Sequence, residues 1–222
     1  MKIFVQICLF FFPWAIRRRI LCLLYKHQIH PEARIGYAII LAKKIEMARK
    51  ARIQHFVFCR PIDRICMEGE SGIGLASRIS GFPSSNQRHY VHIPSRKCEL
   101  VLGKGVKITS RHFLDCNGGI YVGDYSLIAG LRSQILTHSI DLYKNRQHAA
   151  PVRIGKYCFI GTGCIILPGA GIPDYCVLGA GAVLNKYYDK PRTLYAGNPA
   201  IPKKELNPDE ILWMKRLKTF TN

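Results

Sequence analysis

The sequence has few acidic residues: 14 aspartates and glutamates stand against 33 lysines and arginines, giving a formal net charge of +19 at pH 7. Such a balance suits anionic partners, namely nucleic acid, anionic lipid headgroups or a phosphorylated cofactor, or it is simply a solvated basic surface. The basic residues are scattered, and no module that reads nucleic acid is recognisable. We therefore expect no nucleic-acid partner.

Paired cysteines and long apolar runs are also missing. The nine cysteines include no CxxC pair, which argues against a zinc ribbon and a disulfide framework and favours a reduced, cytoplasmic compartment. The apolar run from Ile3 to Ile16 has 14 residues and is interrupted by Pro13. A membrane-spanning helix needs about 20 residues, so this run is too short to span a bilayer.

Residues 1–28 nevertheless form a distinct N-terminal segment. Arginines 17–19 follow the apolar run, and no small-residue cleavage site closes it, so the segment is a poor signal peptide. Trp14 lies beside these charges, and a second apolar patch covers 20–25. This pattern predicts either an interfacial anchor at the cytoplasmic face of a membrane or a helix that caps the end of a coil.

The strongest pattern is a strict period of six between 154 and 184. The repeated aliphatic residues are Ile154, Ile160, Ile166, Ile172, Leu178 and Leu184, and small residues follow four places later at Cys158, Cys164, Ala170, Cys176 and Ala182. Neither a helix, with its period of 3.6, nor a strand, with its period of two, gives six. A triangular coil of hexapeptides does, because each hexad is one short strand and one corner. We therefore expect a parallel β-helix over 29–204.

Weaker copies of this register extend the prediction to the rest of the domain. They comprise Ile29, Ile35, Leu41, Met47 and Ile53, then Leu102, Ile108, Leu114 and Ile120, and finally Val122, Ile128 and Gln134. An amphipathic helix over 42–52 is the alternative for the first block, but the register continues past both of its ends. The register is lost over about 68–98, where we expect an irregular section, and in a loop at 138–151. Asn207 and Pro208 predict the start of a short C-terminal helix within 205–222.

Three motifs near the C terminus carry a family resemblance. They read ILPGAGIPDYCVLGAGAV (166–183), then Asn185-Lys186, then YAGNPA (195–200). In these motifs the chain resembles the hexapeptide-repeat acyltransferases, in the subgroup of galactoside, maltose and capsular-sugar O-acetyltransferases and streptogramin acetyltransferases. The specific match covers about 100–204. The resemblance implies an all-β, left-handed parallel β-helix that forms a homotrimer, with acetyl-CoA in the groove between coils and a catalytic histidine at each subunit interface.

The resemblance also assigns site residues. It places the catalytic histidine at His138 and the cofactor contacts at Phe159, Thr162, Ala180, Asn185, Lys186 and Lys204. Asn185 stands where the family usually has threonine, and Lys204 stands where it usually has arginine, which gives up bidentate phosphate pairing. Two alternatives to a cofactor role stay open: Thr162 fills a corner of the coil, and Lys186 is only a surface charge.

The chemistry of acetyl transfer gives His138 its role. A hydroxyl is a poor nucleophile, and an imidazole with a pKa near 6.5 is well matched to remove its proton at neutral pH. The oxyanion needs a donor, by analogy Thr162 or a backbone N–H. A partner must fix the imidazole tautomer, and Asp115, Asn117 and Asp141 are the candidates. We expect His92 and His112 to be surface groups.

These features predict an acetyl-CoA-dependent O-acetyltransferase that acts on a sugar hydroxyl, in the assembly of a surface polysaccharide or glycolipid. The alternatives are an N-acyltransferase acting on an amino sugar and a non-catalytic β-helix scaffold. A metal-dependent carbonic anhydrase on the same coil needs three converging histidines, and 152–185 contains none. We therefore expect no metal, and expect a sugar or glycan acceptor with possible peripheral attachment to a membrane.

Overall fold

Short parallel strands stack into three faces of a prism in the computed structural model, which describes residues 2–215. Face one consists of Gln28–Ile29, Lys44–Met47, Arg64–Met67, Glu99–Leu102, Ile120–Val122, Val152–Ile154 and Gly171–Ile172. Face two consists of Arg34–Ile35, Arg52–Ile53, Gly72–Ile73, Lys107–Ile108, Leu127–Ile128, Phe159–Ile160, Val177–Leu178, Thr193–Ala196 and the antiparallel Ile201–Glu205. Face three consists of Ile39–Ile40, Phe58–Cys59, Arg78–Ser80, Phe113–Asp115, Gln134–Ile135, Ile165–Ile166 and Val183–Leu184.

The hexad register explains this architecture. Ile154 pairs with Ile172, Ile160 with Leu178 and Ile166 with Leu184, so one coil is three hexads long. All of these side chains are buried inside the prism, and the small residues of the same hexads are buried at its corners. Burial of each large aliphatic side chain contributes about 1.5–3 kcal/mol. The predicted all-β parallel helix is confirmed, and the helix alternative for 42–52 is wrong.

At two places the register departs from the prediction. Ile40 fills the interior and Leu41 is only half-buried, while Ile135 fills the interior and Gln134 is exposed. Strand pairing keeps the residues of each face in register, as between Ile40 and Cys59. A lost or added residue therefore shortens or lengthens a corner. A strict period of six therefore misplaces the inward residue by one position.

The coil also continues further than predicted. Strands Gly72–Ile73 and Arg78–Ser80 stay in register, with Ile73 and Ile79 buried. Ser71 and Ser77 are buried at corner positions like the small residues of other hexads. The irregular section is therefore confined to 81–98 instead of 68–98.

Helices are restricted to the ends. Lys2–Leu9 and Trp14–Tyr25, separated at Pro13, cover the N-terminal end of the coil. At the C-terminal end Asn207 Oδ1 accepts from the backbone N–H of Asp209, and a 3₁₀ helix, Leu212–Lys215, follows within the described residues. The helix predicted within 205–222 is thus a short 3₁₀ helix as far as Lys215, and the rest of that segment lies outside the described residues. Within 2–215 no helix has the length and apolarity needed to cross a bilayer.

Candidate active site

His138 lies where the chain leaves the coil. Strand Gln134–Ile135 ends on face three, and the chain then forms an antiparallel hairpin from His138–Asp141 and Arg146–Ala149 before the coil resumes at Val152. The hairpin therefore begins at the edge between faces three and one. The side chain of His138 is 43% exposed, so the imidazole is fixed at its base yet open to solvent.

Asp115 is the partner of this imidazole. It ends the strand Phe113–Asp115, which neighbours Gln134–Ile135 with Leu114 opposite Ile135. Its side chain is 1% exposed, and its Oδ2 contacts His138 Nδ1. A carboxylate only accepts hydrogen bonds, so Nδ1 carries the proton and the lone pair of Nε2 stays available. The hydrogen bond that His138 donates to Asp115 raises the pKa of His138, because the carboxylate stabilises the imidazolium.

A set of buried donors holds Asp115 in place. Asn117 donates to Oδ1 from its side-chain Nδ2 at 2.5 Å and from its backbone N–H at 3.2 Å. The backbone N–H of Thr137 donates to Oδ2 at 3.1 Å, and the Thr137 hydroxyl donates to the Asp115 carbonyl at 2.6 Å. Each carboxylate oxygen thus has a fixed partner besides the histidine, which orients the carboxylate toward Nδ1.

Arg96 connects this network to the extruded segment 81–98. Its buried guanidinium donates to the carbonyls of Phe82 and Asn117, both at 2.8 Å, and to the carbonyl of Pro83 at 3.2 Å. Asn117 Oδ1 in turn accepts from the backbone N–H of Phe82 at 2.9 Å. Arg96 carries no signal in the sequence, because it lies in a non-repetitive segment where no periodicity indicates which residues are buried.

The other orienting candidate, Asp141, lies within the hairpin. It accepts from the backbone N–H groups of Tyr143 and Lys144, both at 3.1 Å, and is 3.8 Å from Lys144 Nζ. It therefore stabilises the hairpin turn and makes no hydrogen bond or ion pair with His138. Of the three candidates, Asp115 contacts the imidazole directly, and Asn117 acts through Asp115.

The predicted cofactor residues divide between two edges of the prism. Asn185 and Lys186 are exposed at the same edge as His138, two coils further along, because Gln134–Ile135 pairs with Ile165–Ile166 and that strand with Val183–Leu184. Two strand spacings correspond to about 10 Å. Lys186 Nζ lies 5.1 Å from the centre of the Tyr188 ring. Both residues could face a ligand that extends from His138 along the coil axis.

Thr162 and Ala180 lie at the other edge of face three, where it meets face two. Thr162 Oγ1 bonds to the backbone N–H and carbonyl of Leu131, both at 3.0 Å, so this hydroxyl fills a corner. Gly161 has no room for a Cβ, which would lie 2.5 Å from the backbone nitrogen of Ala180. These residues are not brought next to His138 of the same chain.

Phe159 and Lys204 belong to face two. On neighbouring strands of this face, Phe159 pairs with Val177, Val177 with Leu194, and Leu194 with Lys204. Lys204 is exposed, and Phe159 makes an edge-on contact with Trp213 at 5.9 Å between ring centres. The set formed by Phe159, Thr162, Ala180 and Lys204 is therefore separated from His138 by the width of face three.

The prediction for His112 is wrong, because this histidine is buried. Its Nδ1 accepts from the backbone N–H of Ser133 at 3.1 Å, so the proton lies on Nε2, which is 2.9 Å from Thr109 Oγ1. Burial lowers the pKa of His112, in keeping with a neutral structural role. His92 is exposed as predicted, and its Nε2 is 2.7 Å from the Gln147 carbonyl. Among residues 2–215, no cluster of three or more His, Cys, Asp or Glu could hold a metal ion.

Comparison with known proteins gives both sequence and fold relatives. No family model matches the chain. It is 33% identical over 92 residues to the galactoside O-acetyltransferase of Escherichia coli, covering 40% of this chain and 45% of that protein. The chain therefore spans less than half the length of this curated relative.

Two solved structures share the fold over most of the chain. The polysialic acid O-acetyltransferase OatWY has a TM-score of 0.60 at 17% identity, with 81% of this chain and 84% of that chain covered. The N-acyltransferase AntD of Bacillus cereus, crystallised as a variant with coenzyme A, has a TM-score of 0.52 at 14% identity, with 88% and 91% covered. The common fold is the left-handed parallel β-helix.

Proposed function

We propose that this chain, which has the left-handed β-helix of the hexapeptide-repeat acyltransferases and shares sequence with one of them, is an acetyl-CoA-dependent O-acetyltransferase acting on a sugar hydroxyl. The observation that carries the proposal is the contact of His138 with buried Asp115, which leaves Nε2 open at the base of the hairpin. A scaffold has no need for a buried carboxylate that neighbouring donors hold with one oxygen against a half-exposed imidazole.

The reaction follows from this geometry. His138 Nε2 takes the proton of the acceptor hydroxyl as its oxygen attacks the thioester carbonyl, and a C–O bond forms. The tetrahedral intermediate then collapses and the C–S bond breaks. The leaving thiolate receives the proton from the imidazolium, which returns His138 to its neutral form. Asp115 stabilises the imidazolium between these two steps. The transfer is direct, so no covalent enzyme intermediate forms.

A homotrimer is part of this proposal. His138, Asn185 and Lys186 lie at one edge of face three, whereas Thr162 and Ala180 lie at its other edge. A neighbouring copy that places its Thr162 edge beside His138 would bring both sets to one groove, where acetyl-CoA would bind. Thr162 of that copy, rather than of the same chain, would then lie near the thioester. Sedimentation velocity of the purified chain, with a trimer as the expected species, tests the assembly.

The acceptor is proposed to bind between the hairpin and the extruded segment 81–98. These two elements contact each other through Gln147, whose Oε1 is 3.1 Å from His89 Nδ1 and whose carbonyl meets His92. Both elements flank the His138 site, and the acceptor would be a unit of a surface polysaccharide or glycolipid. The nine free cysteines support a cytoplasmic location, with peripheral association at a membrane.

The test begins with isothermal titration of the purified chain with acetyl-CoA and desulfo-CoA, for which we expect saturable binding near one site per chain. An acceptor screen follows, with release of free thiol as the readout and matched hydroxyl and amino sugars as acceptors. Transfer to amino sugars alone would favour an N-acyltransferase. No binding of either ligand would contradict the enzyme proposal and leave the scaffold.

A further inference from the structure

The N-terminal helices carry apolar residues on an inner and an outer side, and the inner side packs against the first coils. Gln6 exchanges two hydrogen bonds of 2.8 Å with the backbone of Ile40, and Trp14 Nε1 donates to the Ala33 carbonyl at 2.8 Å. Leu9 and Leu21 are buried against the first coils. This face closes the apolar end of the prism, so capping the coil requires no further apolar surface from these helices.

The outer side is exposed and still apolar. Phe4 is 71% exposed, Phe11 88% and Leu23 80%. Helical spacing places Ile3, Phe4 and Ile7 on one side of the first helix. The exposed apolar residues beyond this helix are Phe11, Phe12, Ile16, Leu23 and Leu24. We call this set the outer cap surface. So many large apolar side chains exposed on two short helices are uncommon on soluble monomers and indicate an interaction site.

The outer cap surface continues into a groove on the first coils. This groove has a volume of about 430 Å³ and is lined by Phe10, Tyr37, Ile39, Phe56, Val57 and Phe58. Phe10, just beyond the first helix, packs edge-on against Tyr37 at 5.4 Å between ring centres. Phe56 is exposed at its rim. The groove therefore adds apolar side chains of the first coils to those of the helices.

The charges around this surface favour anionic lipid over a second copy of the chain as its binding partner. The first acidic residue of the chain is Glu32, whereas Lys2, Arg19 and Lys26 are exposed on or beside the two helices. Two copies meeting through this surface would bring like charges together. Anionic lipid headgroups would instead be attracted, and each basic residue close to the membrane would strengthen binding about fivefold.

We infer that the outer cap surface docks onto a bilayer containing anionic phospholipids, with its phenylalanines and leucines in the interfacial region and the basic residues against the headgroups. Apolar insertion and a basic cluster together are the two signals that stable peripheral binding needs. In a cyclic trimer the three caps lie at the same end, so they would bind together and more tightly than one. The inference rests on the proposed peripheral location and is independent of acyl transfer.

The experiment is co-sedimentation of the full chain with vesicles of phosphatidylcholine alone and of phosphatidylcholine mixed with phosphatidylglycerol. We expect binding to the mixed vesicles, weakened about tenfold or more by Phe4→Ser with Phe11→Ser. Arg19→Gln with Lys26→Gln should weaken it about 25-fold. The matched control is Leu212→Ser, which removes an 83% exposed apolar side chain at the other end of the chain and should leave binding unchanged.

Three outcomes would overturn the inference. One is equal sedimentation of wild type and both double variants, and another is equal binding to the two kinds of vesicle. The third is no vesicle binding together with larger assemblies that the double phenylalanine variant disperses, which would make the surface an interface between copies. Titration of the same variants with desulfo-CoA in the absence of vesicles confirms their folding, and it reports on the proposed enzyme separately from the membrane.

Discussion

Replacing Asp115 by asparagine tests the central contact of the site. The carboxylate accepts from two donors at Oδ1, both from Asn117, and from Thr137 N–H and His138 Nδ1–H at Oδ2. An amide has only one oxygen, so in either orientation its NH₂ group faces two donors. If the NH₂ group faces His138, the imidazole proton moves to Nε2 and the base is lost.

The expected loss of kcat follows from the number of donors left unpaired and from the change of tautomer. A buried donor without a partner costs about 1–3 kcal/mol, and loss of the correct tautomer removes general-base catalysis worth about 10²–10⁴-fold. We expect Asp115→Asn to lower kcat by about 10²–10³-fold. The pKa of His138 is raised by Asp115, and activity requires the neutral imidazole. The acid limb of the kcat profile should therefore move to lower pH in the variant.

The assay is release of free thiol across a pH series, with saturating acetyl-CoA and acceptor. Asp141→Asn is the matched control, because it makes the same change of charge at a carboxylate that bonds to Tyr143 and Lys144 instead of His138. Its kcat should stay within about threefold of wild type, since surface changes of this kind are small. For Asp115→Asn, a maximal kcat close to that of wild type, or an acid limb of the kcat profile that moves to higher pH, would refute the reasoning.

Three further predictions concern the cofactor, the support of the site and the core. Lys186→Glu should weaken desulfo-CoA binding about tenfold in a calorimetric titration, with the exposed Lys50→Glu unchanged, since a point charge meets the phosphates. Arg96→Lys should lower kcat about tenfold and leave the Kd for desulfo-CoA unaltered; equal losses would indicate misfolding. Ile160→Ala should lower the free energy of unfolding in denaturant by about 2–5 kcal/mol, whereas the exposed Val91→Ala should change it by less than about 0.5 kcal/mol.

The repeat was predictable because burial imposes a strict spacing on it. Between 154 and 184 every inward residue is aliphatic and every corner residue is small, so the interior can be assigned without a structure. Where a corner gains or loses a residue, as around Ile40 and Ile135, the same reasoning fails by one position. Segment 81–98 leaves the repeat, and its buried Arg96 carries no periodic signal.

The partner of His138 shows why spacing alone could not complete the site. A coil of 18 residues, the separation seen between Ile154 and Ile172, would place Asp115 beside Ser133. The observed pairing of Leu114 with Ile135 is longer, and the additional corner residues bring Asp115 to the level of Thr137 and His138. Asp115, Asn117 and Asp141 were therefore equivalent candidates until the register between these coils was known.

The most direct test of the proposed chemistry is a comparison of wild type with His138→Ala, measuring kcat by thiol release and the Kd for desulfo-CoA by calorimetry. His55→Ala, which deletes an exposed imidazole in the first coils, is the control and should match wild type in both. The proposal predicts a fall in kcat of about 10²–10⁴-fold with an unchanged Kd. Turnover that survives the substitution, or a Kd that rises as much as kcat falls, would contradict a general-base role for His138.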